Sequence, residues 1–260
     1  MKIGICVKVT ADTDARLKPT PDGKGFEFTG KIVAGPYDLF AVEEAIRTKE
    51  AHGGEVVSFT VGGADDTVAQ LRASVLALGA DKAVLVNDPS LAKGDSLVTA
   101  RALAAAIKRE GCDLVFCGKQ SIDDDNVQVP AMLAELLGWA QVSRVVEFSV
   151  SGSEFKATRA MDGGVREVVT GPLPAVITAE RGLNTPRYAK LPAIMAAKKK
   201  EPERLDAAAL GLSGDAVASK VTTGPFGMPP ERPKSRMITG DADAQVAELV
   251  RLLRDEAKVL

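Results

Sequence analysis

Apolar positions in the first half of the chain alternate between two periods. Short β-branched runs at residues 3–9, 55–61, 82–87 and 113–117 read as strands. Between them the apolar residues fall at helical spacing. Residues 36–50 put Leu39, Val42, Ala45 and Ile46 on one face, and a second helix opened by Asp65 or Asp66 carries Val68, Leu71, Val75, Leu76 and Leu78. Residues 96–109 and 126–137 give a third and a fourth helix. A hairpin-like turn, Asp22-Gly23-Lys24-Gly25, interrupts the loop after the first strand. This rhythm predicts an α/β fold on a mostly parallel, Rossmann-like sheet with helices on both faces. Ligands of such sheets bind outside the carboxyl ends of the strands, near a topological switch point. The stretches of interest are therefore residues 8–12, Gly62 to Ala64, 87–89 and 118–126.

The pattern changes after Trp139. Runs at 142–150, 154–161, 165–170 and 175–179 are joined by short turns with no helix between them, which predicts an antiparallel extension. Residues 180–192 are irregular and lead to a short helix and the basic run Lys198-Lys199-Lys200. Residues 201–260 are rich in Pro and Gly from Gly224 to Pro233 and end in a helix over 242–257. Such a tail is too irregular for a core of its own and is expected to lie on another surface as an arm. The predicted division is a domain over 1–200 and a C-terminal arm over 201–260.

Composition narrows the chemistry. The 260 residues are 45% hydrophobic and 26% charged, enough for an ample core. A formal net charge of -2 gives no bulk attraction for nucleic acid. Cys6, Cys112 and Cys117 form no CxxC pair and lie in or beside apolar runs, so buried reduced thiols are expected. His52 is the only histidine, read as a solvated helix-end residue, which argues against a His-based triad and against a multi-His metal site. There is no GxGxxG after a strand, no P-loop, no nucleophile elbow and no HExxH. With no basic leader and no apolar run near the ~20 residues that cross a bilayer, the expectation is a soluble cytoplasmic protein.

The densest signal is the loop from Gly118 to Gln128, which leaves a strand and enters a helix. A helix start offers free N–H groups and the positive end of the dipole, a ready anion site. The plainer reading is that Asp123, Asp124 and Asp125 only cap the helix. Three carboxylates beside a phosphate must turn away or be neutralised, with Lys8 and Lys119 as the candidate cations. A metal site from three consecutive aspartates is disfavoured because they cannot all face one ion.

That loop, Gly118-Lys119-Gln120-Ser121-Ile122-Asp123-Asp124-Asp125, resembles the β subunit of electron-transfer flavoproteins. More specific are residues 173–179 (LPAVITA) running into 183–195 (LNTPRYAKLPAIM) and Lys198 to Lys200. The resemblance covers nearly all of residues 1–200 and, more loosely, the tail. It implies an adenine-nucleotide hydrolase-like sheet and a heterodimer whose α subunit holds most of an FAD. The tail would contact α. The pair would take electrons from flavin dehydrogenases and pass them on, often to a membrane quinone reductase, with no catalytic side chain in β.

By the same resemblance a nucleotide sits in β. It is contacted by Cys6, by Gly35, Pro36, Tyr37 and Asp38, by Val61, and by Gly118, Lys119, Gln120, Ser121, Ile122, Asp123, Asp124, Asp125, Asn126, Val127, Gln128 and Val129. AMP is the expectation and a second FAD, as in bifurcating relatives, the alternative. Val129 and Pro130 depart from the simple carriers, Asp124 from the bifurcating type, while Asp12-Thr13 and Pro36 to Asp38 lean toward the latter. The segment 183–197 would be the docking loop, with Tyr188, Leu191, Ile194 and Met195 as its apolar groups and Leu191 as the anchor. Ala160 stands where relatives often carry a Glu that pairs with α. Two other classes compete. One is a stand-alone nucleotide-binding module like universal stress proteins. The other is an enzyme of the adenine-nucleotide hydrolase type, for which residues 10–13 lack a phosphate loop rich in Gly and Ser.

Overall fold

The computed structural model describes every residue except 64, 93 and 233. Ala64 and Pro233, named above, lie outside the described residues. The chain packs as two units, one of Met1–Lys18 with Phe26–Gly224 and one of Pro19–Gly25 with Pro225–Leu260.

From the N-terminus, β1 (Lys2–Cys6) is followed by short strands β2 (Val9–Ala11), β3 (Arg16–Pro19), β4 (Phe26–Thr29) and β5 (Ile32–Ala34). Then come α1 (Pro36–His52), β6 (Glu55–Val61), α2 (Asp65–Leu71), β7 (Lys82–Val86), α3 (Ser96–Glu110), β8 (Leu114–Gly118) and α4 (Val129–Leu137). The second half adds β9 (Ala140–Ser151), β10 (Glu154–Ala160), β11 (Arg166–Pro172), β12 (Ala175–Ala179), α5 (Leu191–Ala197) and β13 (Glu203–Leu205). One nine-stranded sheet runs in the order β11-β10-β9-β12-β8-β1-β6-β7-β13. From β9 to β13 all neighbours pair in parallel, and β10 is antiparallel to both β9 and β11.

The two faces follow from the strand period of two. Ile3, Ile5, Val56, Leu114 and Phe116 turn to one side and pack with Val42, Ala45 and Ile46 of α1. Val57, Phe59, Val84, Val115 and Cys117 turn to the other and pack with Val98, Ala102, Ala106 and Ile107 of α3 and Leu133 of α4. The chain builds outward from β1, to β6 and β7 on one side and to β8 on the other. The crevice at the carboxyl ends of β1 and β8 is therefore the switch point.

Several boundaries differ from those the sequence predicts. The first strand stops at Cys6, because the N–H of Lys8 turns to the Asp38 carboxylate. The fourth helix starts at Val129, not at residue 126, because Asp125 and Val127 take left-handed φ of 50° and 57°. Pro130 then sits in its first turn, where no N–H is needed. The run 175–179 is not part of the antiparallel meander. It lies between β8 and β9, parallel to both, because all five of its residues are buried and need cover on two faces. The division at 200/201 also moves: β13 pairs with β7, so the larger unit extends to Gly224. Within the smaller unit, Asp241 caps α6 (Ala242–Arg251) by accepting the Ala244 N–H at 2.9 Å, and a wider turn extends the helix over Leu252–Glu256. Val246, Leu249 and Val250 form an exposed apolar stripe on α6.

Asp38, in the first turn of α1, seats that helix on the sheet. Its carboxylate accepts the Lys8 N–H at 2.8 Å and the Gly118 N–H at 3.1 Å, joining the ends of β1 and β8. The approach is so close that a Cβ at Gly118 would lie 2.3 Å from Asp38 Oδ1, and one at Gly35 2.6 Å from Oδ2. Gly118→Ala is expected to lower stability by about 1–3 kcal/mol through overpacking. Gly224→Ala, with open space around it, should be neutral. Urea midpoints for the pair check this, and equal midpoints would remove Asp38 from its assigned place.

Burial pushes the Asp38 carboxyl up to about 7, against the pull of the two N–H donors and Lys8. A carboxyl raised in the folded state holds its proton more tightly than in the unfolded chain. The resulting cost is absent below about pH 4 and complete above pH 7. Stability should therefore rise by up to a few kcal/mol as pH falls from 8 to 5.5. Carboxyls held low by donors and cations, such as Asp88, Asp95 and Glu203, lose their contribution only at lower pH. Glu44, also raised by burial, shares the sign. The slope between pH 8 and 5.5 should flatten in Asp38→Asn, and an unchanged slope would place the titration elsewhere.

Candidate functional site

The crevice opens into a cavity of about 800 Å³. Its floor is Cys6, Val7, Lys8, Asp38, Val61, Cys117 and Gly118 at the strand ends. One wall is the loop entering α4, with Gln120, Ser121, Asp124, Asn126, Val127, Gln128 and Val129. A further part of the lining is the start of α3, with Asp95, Ser96, Leu97 and Thr99, joined by Ser219, Lys220, Val221 and Thr223. Lys119 also reaches it.

Of the residues singled out by resemblance, Gly35, Pro36, Tyr37, Ile122, Asp123 and Asp125 do not line this space. Gly35 and Pro36 start α1. The Tyr37 ring lies under Lys119, whose Nζ is 4.6 Å from the ring centroid. Sequence reasoning missed the α3 wall and residues 219–223. Asp95 before an apolar helical run was a legible capping signal, but 219–223 carry no pattern that announces a wall.

The charges in the loop largely satisfy one another. Lys8 Nζ donates to Asp123 Oδ1 at 2.8 Å, Asp124 Oδ2 at 3.1 Å and Ser121 Oγ at 3.2 Å. Burial acts to lower the Lys8 pKa, but the two carboxylates outweigh it and hold the ammonium above its ordinary value. Burial acts to raise Asp123 and Asp124, and Lys8, the Ser121 hydroxyl and nearby N–H groups hold both low. Asp125 accepts from Gln120 Nε2 at 2.6 Å. Lys119 does not neutralise this run, because its Nζ is held by Glu180 at 2.8 Å. Glu180 also lies 3.6 Å from Arg144 Nε.

The two helices that open on the cavity end differently. Asp95 caps α3 by accepting the Leu97 and Val98 N–H groups. No side chain caps α4. Its free N–H groups, with the Asn126 and Gln128 amides, are the donor set for an anion on this wall.

The thiols offer little nucleophilic chemistry. Cys6 faces Cys117 on the neighbouring strand, and contact with that thiol and burial push Cys6 well above the usual range. Burial pushes Cys112 up to about 12. All three are free and buried. Among the described residues, no group of three His, Cys, Asp or Glu is placed to hold a metal ion, and no helix is long and apolar enough to cross a membrane.

The segment 183–197 is clamped to α1. The Asn184 amide donates to the Phe40 carbonyl and to Glu44. Arg187 donates to Glu43 through Nε at 2.8 Å and Nη2 at 3.0 Å, and to Glu50 through Nη1 at 2.5 Å. Beyond that clamp Tyr188 is 96% exposed, Leu191 72% and Met195 54%. Ile194 differs from these three, being half-buried against the core. Lys200 is turned to the carbonyls of Ala80 and Asp81, which sets it apart from Lys198 and Lys199 in the basic run.

Residues 29–210 match the family described as "Electron transfer flavoprotein domain". The chain is 36% identical over 261 residues to "Electron transfer flavoprotein subunit beta" of Bacillus subtilis, covering 100% of both chains. It is 39% identical over 266 residues to the protein of that name in Bradyrhizobium diazoefficiens, again over 100% of both. The Mus musculus relative is 37% identical over 254 residues, 95% of this chain and 97% of its own. Full-length identity at this level leaves one assignment: the chain belongs to the electron-transfer flavoprotein family, on its β-subunit side.

Proposed function

We propose that the chain pairs with an α subunit that holds most of an FAD, takes electrons from flavin dehydrogenases and passes them toward a quinone-reductase type of acceptor. In this reading the crevice cavity holds a structural AMP. The observation that carries it is the uncapped start of α4, which opens into the cavity between β1 and β8 while α3 beside it is capped. A phosphate at α4 meets N–H groups and amides, and the adjacent aspartates are already paired with Lys8 and Gln120. The adenine then has the apolar floor of Val61, Phe59 and Leu103.

A second FAD is the other reading. The volume favours it: about 800 Å³ is toward the top of the range of roughly 300–1,000 Å³ for ligand pockets. Asp124 on the wall opposes a longer, more highly charged diphosphate. Electron delivery needs no reactive side chain from β. It needs surfaces, and two are present: the Tyr188, Leu191 and Met195 cluster for a dehydrogenase, and the α6 stripe for α.

Two measurements test this. The complex purified with α and denatured should release one FAD and one AMP, whereas two FAD would replace the AMP reading. Leu191→Ala should slow electron acceptance from a dehydrogenase about tenfold or more, as loss of a central anchor does, with nucleotide content unchanged. Equal rates for mutant and wild type would sink the docking role.

A further inference from the structure

Asp95 uses both carboxylate oxygens, and they face different parts of the fold. Oδ1 accepts the Leu97 and Val98 N–H groups at 3.0 Å each and caps α3. Oδ2 accepts the Lys220 N–H at 2.6 Å, the Val221 N–H at 3.2 Å and the Ser219 hydroxyl at 3.2 Å. Capping alone needs one oxygen, which Ser or Asn supplies as well. Accepting on both atoms requires a carboxylate.

The segment held by Oδ2 is a wall of the cavity. Ser219, Lys220, Val221 and Thr223 line it together with the α4 loop. Their outer side is open to solvent, with Val221 65% exposed. Among the described residues, the remaining hydrogen bonds of 219–221 stay within 215–221. Just upstream, Arg101 of α3 donates to the Asp215 carbonyl at 2.8 Å, so the same helix holds the approach to the wall. Residues 219–223 are exposed, and among the described residues Asp95 is the one hydrogen-bond partner of 219–221 from beyond 215–221, so their local opening energy is low and depends on that tie.

We propose that Asp95 is a positioning residue for the nucleotide, fastening residues 219–223 to α3 as a wall whose opening controls how fast the ligand leaves. This rests on the nucleotide reading of the cavity. Asp95→Asn is the discriminating variant. Asn keeps the cap on α3, but its amide nitrogen is set against the Lys220 and Val221 N–H groups and cannot accept from them. Asp88 supplies a matched control. It also accepts an N–H within its own turn, from Ser90, and one from a distant segment, at Ala207, yet it does not line the cavity.

The complex with α, wild type or variant, is loaded with radiolabelled AMP and, in parallel, with FAD. It is then chased with unlabelled nucleotide, and unfolding midpoints are recorded alongside. Asp95→Asn should release label about tenfold faster or more, given two lost hydrogen bonds to a charged acceptor. Its unfolding midpoint should stay close to wild type, and Asp88→Asn should release at the wild-type rate. Equal release from Asp95→Asn and wild type overturns the proposal. So does equal acceleration in Asp88→Asn, which would mean general softening. A wild-type complex that retains neither AMP nor FAD removes the nucleotide reading itself, and the proposal with it.

Discussion

The Asp38 carboxylate is the joint on which this fold turns. It is buried, and it is spent on two backbone N–H groups, one just past the end of β1 and one at the end of its neighbour β8. A buried carboxylate is costly unless its acceptors are filled, so the geometry around it is closely determined. Gly35 and Gly118 have no side chain because the carboxylate occupies the space one would need. The same bonds end β1, direct Lys8 outward and set the first turn of α1 against β8. The cavity opens where Asp38 joins these strand ends.

Once Lys8 is directed outward, the acidic loop follows. Three aspartates in sequence suggest a strongly negative wall, yet Lys8 pairs with two of them and Gln120 holds the third. The left-handed residues Asp125 and Val127 delay α4 by about one turn and keep its N–H groups free of a side-chain cap. A β-branched residue at φ 57° is strained, and the strain is located where the loop must turn from its ion pairs to the helix. The donor set and the paired acids are thus two results of one backbone path.

The parallel core was legible because period two and period 3.6 alternate cleanly over residues 1–137. The place of β12 was legible in principle, since an unbroken AVITA run marks a strand covered on both faces, but the short connections around it pointed to a meander. Asp38 was not legible as a joint: an acidic residue in a first turn reads as ordinary dipole chemistry, and only the fold shows the N–H groups from 30 and 80 residues away. The extent of the larger unit was hidden because β13 has only three residues. The second job of Asp95 was hidden for the same reason as that of Asp38. Local patterns announce a cap, but a partner more than a hundred residues distant leaves no trace in spacing.

One helix relates the cavity to the exposed loop. The N-terminal turn of α1 supplies Asp38 to the cavity floor, and its later turns supply Glu43, Glu44 and Glu50 to the clamp on Asn184 and Arg187. Glu43 is buried and its charge is met by the Arg187 guanidinium, so removing Arg187 leaves it only the more distant Arg47, at 3.7 Å. Tyr188 and Leu191 are exposed while the chain just before them is rigidly held, which is how a small apolar contact keeps its ordering cost low on binding. Because α1 is seated at one end by Asp38 and packed along its length on β1 and β8, the cavity and the loop share one rigid reference. An electron-carrier subunit depends on such placement, because its work is done at surfaces whose positions the fold must fix.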